Sequence, residues 1–279
     1  MSDTPANSAR AGKGEGFPGQ RIVVLPSTVV TRAWSHPLLR GLLPTDVGYF
    51  PKVVGHLRER QAGVDQAIFI YCAQGEGWCE IDGRRHEVYP GDLLVLPPEV
   101  AHAYGADTRH PWTLHWFHAT GGDIPHLLVE LGVNAANPVL FLGQEPQLLA
   151  LFEELLGTLE RGYAPGELLY ASQTLHHLVG AMIRHRRENW RGAPDPSQKV
   201  TQSIDYMKQH LGQPLRLAAL AAMANLSPSH FSAVFKEQTG YAPIDYFIRL
   251  RMHHACQLLF SGDHFRLRRK KWDGSATGT

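Results

Sequence analysis

The stretch from Leu215 to Leu259 constrains the fold most, because it reads as three helices joined by two tight connections. Residues 217–224 are rich in strong helix formers, and Asn225-Leu226 interrupts them. Ser227-Pro228 then opens a second helix, with Ser as the N-cap and Pro at the first helical position, and Gly240 ends it. Two short helices around a tight turn predict a helix-turn-helix, whose second helix can enter a major groove of DNA.

The second of these helices has two distinct faces. Phe231, Val234 and Phe235 follow the i, i+3, i+4 spacing of one apolar helix face. The residues predicted to point the other way are Ser229, Ser232, Ala233 and Lys236. The apolar face therefore anchors the helix, and the opposite face is free to contact a partner.

This region resembles the first helix-turn-helix of AraC-type regulators. The positions that agree are Leu217, Leu220, Ala221, Ser227, Phe231, Phe235, Lys236, Gly240 and Pro243. Those that agree with the long connecting helix of that family are Arg251, Ala255, Leu258 and Leu259. The alternative is a helical hairpin that only packs against its own domain.

The match departs from the family after the connecting helix. The family carries a second helix-turn-helix there, whereas this chain continues from Phe260 into a basic run, residues 266–272, and Thr279. We interpret the second motif as missing and residues 261–279 as a disordered basic tail. The tail either binds DNA phosphates without sequence preference or has no function for which it was selected.

The resemblance implies a set of DNA contacts on the second helix. By position, Ser229, Ser232 and Ala233 would face bases, and Lys236 and Arg249 would face phosphates. His230 could reach a base or a phosphate, or pack beside Phe231. The set is thin, because strong base readout usually uses Arg, Lys, Asn or Gln side chains.

Charge and composition bound the remaining possibilities. Residues 1–196 carry 16 Lys and Arg against 21 Asp and Glu, and residues 197–279 carry 11 against 5. A basic C-terminal module beside an acidic N-terminal one is expected if only the former approaches DNA. Three cysteines without a CxxC pair favour reduced thiols, although a Cys72–Cys79 bridge is conceivable. The absence of a signal-like or membrane-length apolar segment favours a cytoplasmic protein without a membrane partner.

The pattern from Val53 to His118 predicts short strands separated by turns. Predicted strands cover residues 67–72, 78–81, 85–88, 93–96 and 112–118, with Asp82-Gly83 as a hairpin turn. Residues 21–31 predict an early strand, and residues 34–51 contain Pro and Gly that interrupt any long element. Residues 1–20 are interpreted as a disordered lead. Strands at this spacing argue for a sandwich or small barrel.

The turns of this region also resemble the cupin superfamily. The second half of the cupin signature is present as Gly91, Pro97 and His102. The expected fold class is therefore multidomain β plus α, with a cupin-like double-stranded β-helix barrel at residues 21–143 and an all-α module at 199–260. That order is the one found in AraC-type sugar regulators.

Between these two parts the apolar spacing becomes helical. Residues 144–190 predict two amphipathic helices, which by resemblance pack on the barrel and pair two chains into a homodimer. Helices that simply cover the barrel are an equally good interpretation. Residues 191–198 contain Pro and Gly and are predicted to form a linker.

Cupins often bind a metal and catalyse, which makes the histidines of the barrel candidate ligands. The three other family ligand positions correspond here to Ala62, Val64 and Ile68, none of which can coordinate. His102 would be left alone, and a single imidazole does not hold a divalent metal. His86, His115 and His118 fall on different sides or layers. The sequence therefore predicts neither a metal, a cofactor nor an enzyme.

A binding cavity for a small molecule fits the barrel better. Sugars require an aromatic face and a few fixed polar groups. The candidates are Arg60, Tyr104, Trp112 and Trp116, and by resemblance Arg60, Tyr104 and Trp116 match sugar contacts in the arabinose-responsive regulator. A histidine contact of the family is matched by Leu114, so a different ligand is open, and ordinary core packing is the alternative for each aromatic residue.

Three hypotheses about the function follow from the sequence. The first is a regulator that binds double-stranded DNA and a small-molecule effector such as a carbohydrate, forms homodimers, and acts with RNA polymerase as a possible further partner. The second is a sensor that binds ligand and dimerises but has little specific DNA binding. The third, an enzyme of the cupin type, is disfavoured by the missing ligands.

Overall fold

The computed structural model describes residues 12–189 and 196–260. The chain divides into two units, Met1–Trp190 and Arg191–Thr279. The predicted tail at 261–279, most of the predicted linker and residues 1–11 lie outside the described residues. In the part of the chain that the structure describes, none of the helices has the length and apolar character needed to cross a membrane.

The first unit contains two antiparallel sheets. The six-stranded sheet has the order β1-β2-β9-β4-β7-β10, and the four-stranded sheet has the order β3-β8-β5-β6. The strands of the larger sheet are β1 (Arg21–Val24), β2 (Leu43–Phe50), β4 (Ala67–Gln74), β7 (Asp92–Leu96), β9 (Thr113–Thr120) and β10 (Val139–Phe141). Those of the smaller sheet are β3 (Leu57–Arg60), β5 (Gly77–Ile81), β6 (Arg84–Val88) and β8 (His102–Ala106). The predicted cupin-like barrel is confirmed as this pair of sheets.

Alternation along the strands separates two apolar cores. Phe69, Tyr71 and Phe117 point to the outer side of the six-stranded sheet, where helices cover it. Ile68 and Ile70 point the other way and form a second core with residues of the four-stranded sheet. The central strands β4 and β7 are therefore apolar on both faces, because both faces are covered.

The helices of the first unit are α1 (Ser27–Trp34), α2 (Ile124–Leu131), α3 (Pro146–Glu160) and α4 (Pro165–Asn189). The last two are the predicted amphipathic pair. They contact each other and the outer face of the six-stranded sheet. A buried hydrogen bond of 2.7 Å from Ser172 Oγ to the Leu42 carbonyl oxygen ties α4 to the chain just before β2.

Two predictions for the start of the barrel are wrong. The strand predicted at 21–31 ends at Val24, and Pro26 then introduces α1. Residues 34–51 contain one of the longest strands, β2, despite their Pro and Gly. Pro44 sits where the register with β9 shifts by one residue, and Gly48 pairs with Trp116. Strand Pro and Gly here mark a bulge and a close approach.

The predicted disordered lead is also corrected where the structure describes it. Residues 12–20 lie along the barrel, with Lys13 bridged to His56 and Phe17 only 5% exposed. The Phe17 ring meets the Phe50 and His56 rings at centroid distances of 5.6 and 5.5 Å. A single buried aromatic residue, which composition overlooks, fixes this segment, referred to below as the arm.

The second unit contains four helices, α5 (Pro196–Gln209), α6 (Leu217–Met223), α7 (Pro228–Thr239) and α8 (Pro243–Phe260). The end of the predicted linker, from Pro196, thus belongs to α5. Asn225 adopts a left-handed backbone with φ of 50° in the turn between α6 and α7, a conformation that Asn tolerates. Phe231, Phe235 and Phe247 are buried in the common core. The helix-turn-helix layout is confirmed.

Candidate functional site

A cavity lies between the two sheets of the first unit. Its volume is about 90 Å³. The lining residues come from both sheets and from the arm, and they are Gly14, Glu15, Ile22, Val24, Asp46, Phe50, His56, Arg58, Arg60, Ile68, Ile70, Tyr104, Leu114, Trp116 and His118. Aliphatic side chains and titratable groups thus share one partly enclosed space, as is usual for small-molecule sites.

Three of the four predicted ligand residues line this cavity: Arg60, Tyr104 and Trp116. Arg60 Nη1 donates a hydrogen bond of 3.2 Å to the Tyr104 hydroxyl oxygen. The two residues lie on the adjacent strands β3 and β8, where Arg60 pairs with His102 and Arg58 with Tyr104. The sheet register therefore sets a guanidinium and a phenol side by side at the cavity.

Trp116 forms part of the opposite wall, on β9. Its ring meets the Phe50 ring edge-on at 5.4 Å and the His118 ring at 5.3 Å. The indole Nε1 is buried and has no hydrogen-bond partner among the described residues. A buried N–H donor without an acceptor is costly, which makes this atom a place where a ligand would be stabilised.

The fourth predicted ligand residue, Trp112, is not on the cavity wall. Trp112 is fully buried behind it, and its ring lies against Gly77, where an added Cβ would stand 2.0 Å from Cε3. Its Nε1 donates to His56 Nδ1 at 3.1 Å. The structure thus separates Trp112 from the other three predicted ligand residues and places it where it holds His56, which does line the cavity.

His56 is a neutral residue at this site. Burial lowers its pKa to about 3, and the positive charges of Arg58 and Arg60 act in the same direction. Since Nδ1 accepts the Trp112 hydrogen bond, the proton of the neutral ring is on Nε2. Sequence patterns do not single out this residue, because a lone histidine after Gly55 belongs to no periodic pattern.

Asp46 contributes a negative charge to the cavity wall, and Glu15 of the arm contributes another. Burial works to raise the pKa of Asp46, but His118, Thr45 and Arg60 together hold that pKa below its ordinary value. His118 Nδ1 lies 3.5 Å from Asp46 Oδ2, and the Thr45 hydroxyl donates to the same oxygen at 2.7 Å. The lowered pKa favours the ionised carboxylate of Asp46, which already has the hydroxyl of Thr45 on β2 and the ring of His118 on β9 as neighbours.

His102, the histidine of the cupin signature, is the first residue of β8 in the four-stranded sheet. Its Nδ1 donates to the Val100 carbonyl oxygen at 2.8 Å, and its buried Nε2 has no partner among the described residues. Elsewhere in the described ranges, Glu76, Asp107 and His110 place one ligand atom each within 4.8 Å of one another. These three are outside the cavity, and Asp107 already accepts two backbone hydrogen bonds.

The two barrel cysteines are free and buried, so the conceivable Cys72–Cys79 bridge is not formed. Burial raises the pKa of each thiol to about 12. Neither residue is therefore a nucleophile at neutral pH.

The second candidate site is the outer face of α7. Ser229, His230, Ala233 and Lys236 are exposed and Ser232 is half-buried, while Phe231 and Phe235 are fully buried beneath them. Ser227 caps the helix by accepting a hydrogen bond of 3.3 Å from the His230 amide. Arg249 is exposed on α8 with its guanidinium 4.3 Å from the Tyr241 ring centre. The predicted DNA contacts thus fall on one helix face plus a separate arginine.

Comparisons with known proteins match both units. The model of the AraC-like ligand binding domain matches residues 47–179, and that of the bacterial regulatory helix-turn-helix proteins of the AraC family matches residues 207–247. The MmsAB operon regulatory protein of Pseudomonas aeruginosa is 36% identical over 86% of this chain and 77% of its own length. The arabinose operon regulatory protein of Escherichia coli K12 is 27% identical over 80% and 76%.

A match to a solved structure is weaker. ToxT from Vibrio cholerae aligns with 73% of this chain and 97% of its own chain at 12% identity, with a TM-score of 0.30, which supports no inference about this protein. The curated relatives are transcription regulators and not enzymes. Their identity and coverage, together with the two domain matches, show that this chain belongs to the AraC family of transcription regulators.

Proposed function

We propose that the chain binds a small molecule in the cavity between its sheets and double-stranded DNA through α7. The observation that carries the DNA half is the exposure of Ser229, His230, Ala233 and Lys236 above a core of Phe231 and Phe235. A helix held firmly on one side and exposed on the other is suited to a major groove. The ligand half is supported by a cavity that contains polar groups with unused hydrogen-bonding capacity.

Carbohydrate binding remains a prediction about the ligand. It is supported by the matching positions Arg60, Tyr104 and Trp116, and two relatives are named for arabinose or lactose operons. The most similar of the relatives described above is named for a different operon. The ligand class therefore rests on the chemistry of the cavity itself.

We also propose a cytoplasmic homodimer that acts with RNA polymerase. Dimerisation through α3 and α4 is supported by the aromatic side chain of Tyr170, which is 51% exposed on α4. Two chains would place two α7 helices on one DNA molecule and raise the effective concentration of each. Light scattering of the purified chain tests the dimer directly.

The DNA half is tested by fluorescence anisotropy on the segment upstream of the protein's own gene and on a scrambled duplex, at two salt concentrations. A preference for the upstream segment that persists at higher salt is expected. Ser232→Ala and His230→Ala should reduce this preference, because these residues are expected to approach bases. Lys236→Ala should instead weaken binding to both duplexes and lower the salt slope by about 1.

One observation favours the second function, a sensor without specific DNA binding. The candidate readout residues of α7 are short or small, and only His230 and Lys236 reach far. Equal binding to both duplexes that disappears at higher salt would establish that function and contradict specific readout.

A further inference from the structure

We infer that the cavity binds a small carboxylate, with the carboxylate group of the ligand paired to Arg60. This inference rests on the proposed ligand-binding function and names its ligand class. It is carried by the charges, the hydrogen-bond donors and the size of the cavity.

Arg60 is a cation of the cavity wall without an ion-pair partner among the described residues. Its hydrogen-bond partner is the Tyr104 hydroxyl, and no ion pair among residues 12–189 and 196–260 includes it. Arg58, by contrast, is paired with Glu15 of the arm. A guanidinium has five N–H donors in a fixed fork that fits a carboxylate, and Arg60 uses one of them on Tyr104.

Asp46 does not fill this role. Its Oδ2 accepts from Thr45 and faces His118 at 3.5 Å, and Asp46 and Arg60 form no ion pair in the described part of the chain. Arg60 nevertheless helps to lower the pKa of Asp46, so the two charges interact across the cavity. A ligand anion in direct contact with Arg60 would be stabilised by that charge more strongly than Asp46 is.

Two further donors on the wall are available to a ligand. Trp116 Nε1 is buried without a partner among the described residues, and the proton of His56 is on Nε2 because Nδ1 accepts from Trp112. Both residues line the cavity together with Arg60. A ligand that uses these donors must bring acceptors. A carboxylate offers two oxygens with about four lone-pair sites, whereas each sugar hydroxyl also needs an acceptor for its own proton.

The size of the cavity limits the rest of the ligand. A cavity of about 90 Å³ has room for roughly six to nine water-sized groups, at about 10–15 Å³ for each, which favours a small ligand. Ile68, Ile70 and Leu114 form an aliphatic part of the wall. The ligand that fits is a short carboxylate with an aliphatic chain.

The test uses the full chain, valerate and valeramide, which have the same number of non-hydrogen atoms and differ in charge. Binding is measured by calorimetry and by the tryptophan fluorescence to which Trp116 contributes. We expect valerate to bind roughly tenfold to a hundredfold more tightly than valeramide, the range for a hydrogen bond to a charged group. Arg60→Met should abolish that difference. Arg84→Met, an exposed residue on β6 of the same sheet, should preserve it.

Circular dichroism melting establishes that both variants remain folded. Equal binding of acid and amide, an unchanged preference in Arg60→Met, or no saturable binding of valerate at millimolar concentration would overturn the carboxylate inference. Tighter binding of L-arabinose than of valerate would overturn it as well, and the proposed ligand-binding function would then stand with a sugar as the ligand. Failure of that function is a separate result, in which neither valerate, valeramide nor L-arabinose binds.

Discussion

The indole of Trp116 lies directly on the backbone of Gly48: a Cβ added at Gly48 would stand 2.4 Å from Cζ2 of Trp116. The two residues are register partners on β2 and β9. Glycine at this position therefore leaves the space that Trp116 needs to form the cavity wall. A residue that sequence patterns mark only as a strand breaker shapes the ligand site.

Gly48→Ala should displace this indole. We expect a loss of about 1–3 kcal/mol in the free energy of unfolding, typical of overpacking, and a shift in tryptophan fluorescence. Denaturant unfolding measures the first. Gly180→Ala on α4, where an added Cβ meets nothing within 4 Å, is the control and should stabilise the chain by about 0.4–1 kcal/mol. Equal stability of Gly48→Ala and the unsubstituted chain would contradict the close approach of the Trp116 indole to Gly48.

Trp112→Phe should destabilise the first unit through His56. The substitution keeps most of the buried ring but removes the donor to His56 Nδ1, which leaves a buried acceptor unpaired. The expected cost is about 1–3 kcal/mol, measured by denaturant unfolding. Trp34→Phe, at a position that is 46% exposed, should change stability by less than about 0.5 kcal/mol. Equal effects of the two substitutions would argue against a structural role for the Trp112–His56 hydrogen bond.

Acid should destabilise the first unit through two buried histidines. Burial lowers the pKa of His56 to about 3 and that of His115 to about 4, whereas both titrate near 6.5 when unfolded. The unfolded chain therefore binds more protons below pH 6.5. Stability is full above that pH and is lost as pH falls toward 4 and then 3, with up to about 1.4 kcal/mol per pH unit from each histidine.

Urea unfolding between pH 7 and about pH 4 measures this slope. His56→Gln can still accept from Trp112 but does not titrate, so the slope should become shallower by about one proton. Exposed His126→Gln is the control and should leave the slope unchanged. An identical slope in His56→Gln would show that His56 is protonated in the folded state.

Ser227→Ala should weaken the start of α7. The variant loses the side-chain acceptor for the His230 amide, at a cost of about 0.5–2 kcal/mol to the second unit. Thermal unfolding followed by helical circular dichroism measures the change. Ser232→Ala, also on α7 but not a cap, should leave stability nearly unchanged while it reduces DNA preference. The reverse pattern would contradict the assignment of the cap.

The helical part of the fold was largely predictable from sequence. Ser227, Pro228 and Gly240 mark the ends of α7 through local backbone chemistry, and the structure places the helix between them. The hairpin at Asp82-Gly83 follows for the same reason, since Asp82 and Gly83 both have positive φ. Local signals of this kind need no knowledge of distant contacts.

The ligand site was only partly predictable, because its parts come from distant segments. Arg60 and Tyr104 could be proposed from a family resemblance, but the roles of Trp112 and Trp116 depend on which side of the wall each indole lies. That choice is set by Gly77 and Gly48, which are far from both in sequence. His56 and the arm residue Phe17 were missed because single residues in irregular segments carry no periodic signal.

The most direct test of sequence-specific DNA binding by this chain is capture of fragments from sheared genomic DNA by the purified protein, followed by sequencing of the bound fraction. The proposed function predicts enrichment of a short common sequence over the input, including fragments upstream of operons. Ser232→Ala and His230→Ala should weaken or alter that enrichment. A bound fraction with the same sequence distribution as the input would contradict specific readout by α7.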